Sequence, residues 1–382
     1  MKVLFDYQAF EMQDHGGVSR CFSELYSHFP SNVYVKLGVR QTKNTYLLHQ
    51  GFEPTDYTYN KLKSYFPFPK KGIIFSLYQK AIGKYSYLTR DNHLYCKKLL
   101  TSGNYDVFHP TYFKDWYLPF LGNTPFVLTI HDMIPELYPQ FFKNDDIQIV
   151  MKRKLAPLAN KIIAVSENTK KDIIDILGVE ESKIEVVYHG VNKWDFSFQK
   201  RSPFPFSYIL YVGDRFGYKN FPLFIESLSI FIKKHKDISL VCTGKPFNQT
   251  ELALIHHFGI HSNVHQSFVK TDEELFNLYH HAMCFVYPSE YEGFGIPILE
   301  AYEADCPVML NNKSCFPEIA GDAAIYFNLS TTHNDLYEVL EDFYLNYDKN
   351  RSCLLKKQRE RLKNYSWEKS AIKLADIYHT II

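Results

Sequence analysis

The chain has 382 residues, 46% of them hydrophobic and 22% charged, with a formal net charge of +1. That length suits about two domains, and the near-neutral balance gives no global attraction for nucleic acid or another polyanion. Seven cysteines, odd in number and without a CxxC pair, argue against a disulfide framework or a zinc site and fit a reducing compartment.

The opening "MKVLFDYQAF" does not read as a signal peptide, because Asp6 interrupts the apolar run early. No stretch reaches the roughly 20 apolar residues that span a bilayer. The expected location is the cytoplasm. From "KVLF" (2–5) onward, short β-branched and aromatic runs recur, each followed by a longer segment of mixed character. In the first half they lie at 33–39, 105–109, 126–132, 161–166 and 184–190. In the second half they lie at 208–214, 238–244, 263–268, 283–288, 307–310 and 323–327. Helical patterns at 166–177, 223–236 and 273–281 sit between them. Apolar strands alternating with helices predict βαβ units, parallel sheets and an α/β class. Six strands per half predict two doubly wound domains, divided where "NKWDFSFQKRSPFPF" loses periodicity. Ligands of such sheets bind beyond the carboxyl ends of the strands, so the residues just after each run are the candidates.

Taken in chain order, the first candidate is "DHGGVSR" (14–20), a glycine pair opening a helix. It lacks GxGxxG; close approach to a phosphate or sugar and a plain loop both fit it. Residues 61–90 hold seven basic residues (Lys61, Lys63, Lys70, Lys71, Lys80, Lys84, Arg90), seven Phe or Tyr, and no acids. Such a segment suits contact with an anionic membrane, or a helical pair whose aromatics are core and whose lysines are a solvated face. In "TIHDMIPELYP", His131 and Asp132 end a strand, where an imidazole can meet a substrate or remain a buried core group. In "YVGDRFGYKN", Gly213 and Gly217 ease a turn carrying Arg215 and Lys219, two cations suited to a diphosphate. The doublets His256–His257 and His280–His281 are expected at the surface and not as metal ligands.

"SEYEGFGIPILE" (289–300) leaves a buried strand, and Pro297 suits the first turn of a new helix. Glu292 falls in the loop and Glu300 about one turn into the helix. The N–H groups of Phe294, Gly295 and Ile296 are then free to meet an anion at a helix N-terminus. The two carboxylates are better matched to sugar or ribose hydroxyls than to phosphate.

The pair Glu292 and Glu300, spaced E-x7-E, stands with "YVGDRFGYKN", "TIHDMIPELYP", "IIAVSENT", "VVYHGVN" and "GGVSR". In this order and spacing the chain resembles the retaining glycosyltransferases of family four, with the GT-B fold, over nearly its whole length. The resemblance implies two Rossmann-like domains facing each other across a cleft. Residues 1–192 would form the acceptor side, with 367–382 packing back on it, and 205–366 would hold a nucleotide-sugar. It implies that Glu300 binds ribose, that Glu292 binds a donor-sugar hydroxyl, and that Arg215 and Lys219 beside Gly213 neutralise the leaving diphosphate without a metal or other cofactor. Gly17 would offer its N–H from the opposite domain, as would Phe294, Gly295 and Ile296 from their own. His131 would contact the sugar, and the backbone at Phe268 and Val269 would hold the base. The implied reaction moves a sugar to a glycan or lipid-linked acceptor in surface polysaccharide synthesis. A nucleotide-sugar epimerase, a phosphorylase or an inactive binding subunit on the same scaffold are the rival readings.

Overall fold

A computed structural model describes residues 1–53, 87–143, 145–194 and 201–382. The basic segment 61–90 therefore lies outside the described residues, save for the backbone of one helical turn at 87–90.

All twelve predicted strands are present, in chain order β1 (Lys2–Phe5), β2 (Tyr34–Leu37), β3 (Val107–His109), β4 (Val127–Ile130), β5 (Lys161–Ala164) and β6 (Ile184–Val186), then β7 (Ser207–Tyr211), β8 (Ile238–Cys242), β9 (Val264–Gln266), β10 (Cys284–Tyr287), β11 (Val308–Asn311) and β12 (Ile325–Phe327). The second half is one parallel sheet in the order β12-β11-β10-β7-β8-β9. The order reverses between β10 and β7, so their carboxyl ends open a crevice. The first half forms two parallel ladders, β2-β1-β3 and β4-β5-β6, joined by a parallel bridge between Phe108 and Phe126. Strands β4, β8, β10 and β11 are buried at every residue, as parallel strands covered on both faces must be.

The helices that bear on the site are α1 (Gly17–His28), α2 (Ile147–Leu155), α3 (Glu167–Leu177), α4 (Phe221–Lys234), α5 (Gln249–His257), α6 (Asp272–His281), α7 (Ile296–Glu303) and α8 (Trp367–His379). Their starts are set locally. The Ser166 side chain caps α3 through Thr169 N, Thr271 caps α6, and Asn248 and Glu251 form a reciprocal capping box on α5. Gly178 closes α3 with a left-handed φ of 64°.

Helix α8 returns to the first half. Trp367, Leu374 and Tyr378 join the same buried cluster as Phe5, Phe22 and Leu128, and Tyr378 hydroxyl meets His109 Nδ1 at 2.5 Å. The chain thus crosses between the halves after β6 and again before α8, and the crossings touch. A Cβ on Gly190 would stand 2.2 Å from Trp367 N, and Ser370 Oγ donates to the Tyr188 carbonyl at 2.6 Å. No helix among the described residues is long and apolar enough to cross a membrane.

Candidate active site

The loop from β10 into α7 is fixed before any ligand arrives. Ser314 Oγ donates to the Glu292 carbonyl at 2.7 Å and accepts from Glu292 N at 3.2 Å. Gly295 takes φ 88°, which a side chain would strain, and Pro297 lies in the first turn of α7. Among the described residues, the N–H groups of Phe294, Gly295 and Ile296 meet no acceptor.

This loop is pressed against the first half. A Cβ on Gly293 would stand 1.8 Å from the His131 carbonyl oxygen, so only glycine permits the approach. Ser166 Oγ donates to the Gly293 carbonyl at 2.7 Å, and Thr169 Oγ1 does so at 3.3 Å. The Glu318 carboxylate accepts from Glu167 N at 2.7 Å and Asn168 N at 3.1 Å, satisfying the first donors of α3 from across the cleft. Tyr291 hydroxyl donates to Asp172.

A cavity of about 1410 Å³ opens between the halves, and Gly17, Asp132, Arg215, Lys219, Glu292 and Gly293 line it. Lys219 Nζ donates to Glu292 Oε1, joining the loop after β7 to the loop after β10. Gly17 faces them from the start of α1; the nearest atom to a Cβ there is Ile296 Cδ1 at 4.0 Å. Gln13 and Val18 line the same side.

Arg215 is placed differently from a free cation at a diphosphate. Its guanidinium donates to Glu251 Oε1 at 3.0 Å and to the carbonyls of Thr243, Lys245 and Pro246 at 3.1, 2.5 and 3.2 Å. The carbonyls past the end of β8 need donors, and the fork of Arg215 supplies them. Gly213, with φ 114°, lies against Gly244, where a Cβ would stand 2.6 Å from the Gly213 carbonyl oxygen.

Glu300 is also engaged. Arg20 Nη1 donates to Glu300 Oε1 at 2.5 Å, and Tyr279 hydroxyl reaches Oε2 at 3.5 Å. Burial lowers the pKa of Arg20, but the Glu300 carboxylate together with Tyr46 and Asp272 turns the net direction upward. Arg20 thus fills the space beside Glu300, and Glu300 does not line the cavity.

His131 stacks near His189 at 5.8 Å, and burial pushes it down to about 4, against an upward pull from Asp132. It is a neutral imidazole at pH 7, and its Nε2 is buried without a partner among the described residues. Beneath it, Lys152 of α2 donates to the Asp132 carbonyl at 3.0 Å and to Glu136 at 2.8 Å, wholly buried. Phe268 and Val269 follow β9; Phe268 is 60% exposed, and neither lines the cavity.

His256 and His257 are exposed, as expected, but His280 and His281 are half-buried. His280 Nδ1 lies 3.0 Å from the Ala304 carbonyl, because α6 packs on α7 and the open carbonyl at that helix end takes a partner. Among the described residues, no group of three or more His, Cys, Asp or Glu side chains could hold a metal ion. Arg20, Lys152, Ser166 and Glu318 escape sequence reading. Two carry a signal there, Arg20 as the cation three residues beyond the "GG" pair and Ser166 as the serine of "IIAVSENT".

Residues 16–194 match the family described as Glycosyltransferase Family 4, and residues 192–367 match Glycosyl transferases group 1. Over 215 residues the chain is 31% identical to the O-antigen chain mannosyltransferase RfbU of Salmonella typhimurium, covering 55% of this chain and 58% of that protein. Over 243 residues it is 29% identical to an uncharacterized glycosyltransferase of Methanocaldococcus jannaschii, covering 58% and 61%. The chain thus spans about six-tenths of the length of these curated relatives. Among solved structures, Anabaena HepE in complex with UDP and glucose superposes with a TM-score of 0.70 at 16% identity, covering 100% of both chains. A glycosyltransferase from Rickettsia africae gives 0.69 at 17% identity, covering 100% of this chain and 98% of that one. At these identities the likeness is one of fold, and the fold is GT-B.

Proposed function

The chain belongs to the glycosyl transferases of group 1, and from that premise we propose that it moves a sugar from a nucleoside-diphosphate donor to a glycan or lipid-linked acceptor, with retention of configuration and without a metal. The observation that carries this reading is the Lys219–Glu292 pair at the carboxyl ends of β7 and β10, facing Gly17 across one cavity. Residues 205–366 would hold the donor, and residues 1–192 with 367–382 would serve the acceptor. Relatives named as mannosyltransferases support mannose as the transferred sugar, and the two named for the O-antigen chain support polysaccharide synthesis as the setting.

Cleavage of the donor leaves negative charge on the diphosphate and oxocarbenium character on the sugar. Lys219, released from Glu292, would meet that phosphate charge, with the free N–H groups at the start of α7 and that of Gly17 beside it. Glu292 would then be free for a sugar hydroxyl near the reacting carbon. His131, neutral and with Nε2 unpartnered, would accept or donate a hydrogen bond to the sugar without adding positive charge. Glu300 would take the ribose hydroxyls once Arg20 yields.

The test is a thermal-shift screen of UDP-, GDP- and ADP-sugars on the full chain, followed by transfer assays with the best donor. A donor bound at 100 times its Kd should stabilise the fold by about 2.7 kcal/mol. Product with the donor's anomeric configuration is expected. Turnover of the donor without an acceptor to an epimeric nucleotide-sugar would replace this reading with an epimerase.

A further inference from the structure

One feature of the cavity is not used by the donor chemistry. Phe141 and Phe142 from the first half meet Phe216 from the second at its mouth, at centroid distances of 5.7 and 6.2 Å. Phe216 is 53% exposed and Phe141 37%, an uncommon outlay of large apolar rings next to a polar site. Phe142 and Phe216 line the same cavity as Lys219, and Phe216 lies three positions before it on one loop.

The rings are held in place. Gly217, at φ 33°, lets the backbone lie flat beneath Phe141, where a Cβ would stand 2.8 Å from its ring carbons. Tyr138 packs between Tyr218 at 5.9 Å and Tyr291 at 6.2 Å, beneath the exposed rings. Since the rings come from both halves, the bowl is complete only when the halves are apposed.

We propose that Phe142 and Phe216 form a stacking platform for the acceptor, a neutral sugar ring of a glycan. The proposal rests on the transferase reading above and names where its second substrate sits. A pyranose has one C–H face, which an aromatic ring covers, and a rim of hydroxyls, which needs polar partners. Those partners flank the bowl. Asp132 uses Oδ1 on Ile134 N at 3.0 Å, and its Oδ2 has no partner among the described residues. Glu290 is held beside Tyr218, the ring next to Tyr138, where its N–H donates to the Tyr218 carbonyl at 2.9 Å. The cavity of about 1410 Å³ also exceeds the roughly 300–1,000 Å³ of a site for one small ligand, leaving room for two. An anionic lipid surface gains little at this mouth, because the cations that line it are already paired, Lys219 with Glu292, Lys245 with Asp214 and Arg215 with Glu251.

The test uses saturation-transfer NMR on the full chain with α-mannobiose as probe and no donor present. Wild type, Phe216→Ala, Phe142→Ala, the double variant and the aromatic-retaining Phe216→Trp are compared. Binding at least about ten-fold weaker in the alanine variants, and kept in Phe216→Trp, is expected for loss of an aromatic anchor. Retained nucleoside-diphosphate thermal shifts show that the variants are folded. Unchanged probe binding in the double variant, or none by the wild type, overturns the platform. So does vesicle co-sedimentation with anionic lipid that the wild type shows and the double variant loses, which assigns the rings to a membrane. Failure of every sugar nucleotide to shift the wild type would instead overturn the transferase reading.

Discussion

Arg20 and Glu300 stand 280 positions apart in the chain and meet at 2.5 Å across the cleft, both nearly buried. Removing one partner leaves an uncompensated charge in a dry place, a loss of about 3–5 kcal/mol. Arg20→Met and Glu300→Leu should each lower the urea midpoint strongly, and the double variant should be more stable than the sum of the two losses predicts. A double-mutant cycle by urea unfolding measures this, and simple additivity would show that the pair is not coupled.

Lys219→Ala should lower turnover by roughly 10²–10³, the usual effect of losing one preorganised charge-stabilising group. Glu292→Gln should reduce turnover more than nucleotide affinity, whereas Glu300→Gln should act mainly on affinity. Arg215→Ala should lower both turnover and the melting temperature, because three carbonyls lose their donor. Calorimetry with the nucleoside diphosphate beside steady-state kinetics separates these patterns.

Gly293→Ala should abolish turnover while leaving nucleotide binding to the second half within a few-fold of wild type. The added methyl would sit 1.8 Å from the His131 carbonyl, so the loop cannot seat against the first half. Wild-type turnover in this variant would mean that the contact is dispensable.

Three buried histidines set an acid limit on stability. Burial holds His131 at about 4 and His109 and His189 at about 3, against an ordinary value near 6.5. Their folded pKa values are depressed, so the unfolded chain binds protons first and stability falls as pH drops below about 6.5. Each site should cost about 1.4 kcal/mol per pH unit in that range, down to its folded value. Urea midpoints at pH 7 and pH 5 should differ accordingly, and His189→Asn should flatten the slope.

Activity should persist in EDTA, since Lys219 and the free N–H groups at α7 already face the leaving diphosphate in our reading. Loss of turnover on chelation and its return with Mg²⁺ would overturn the metal-free mechanism.

The strands were legible because parallel strands buried on both faces read as unbroken apolar runs. Their ends ran long where the residues just past a strand are still apolar or aromatic, as at 184–190, where β6 stops at Val186. The Glu292 loop was legible because Gly293, Gly295 and Pro297 announce a tight turn into a helix. Arg215 shows the limit. As a residue type it suits phosphate, but the carbonyls that take its fork depend on how the chain turns after β8. Arg20 was visible in "GGVSR", yet nothing local could point to a partner on a helix of the other sheet. Lys152 has no local feature that marks it, and only the packing of α2 under the His131 turn buries it.

The contact of Gly190 with the backbone of Trp367 gives the molecule a pin. Two straps that cross at one point permit swing about that point and resist sliding apart, as a pair of scissors does. Opening would therefore carry residues near the pin, such as Tyr188 and Ser370, through a short arc, and those farther out through a longer one. Any side chain at position 190 would wedge the straps apart and move the pivot itself, changing how the blades meet at their edges with no change to the edges themselves.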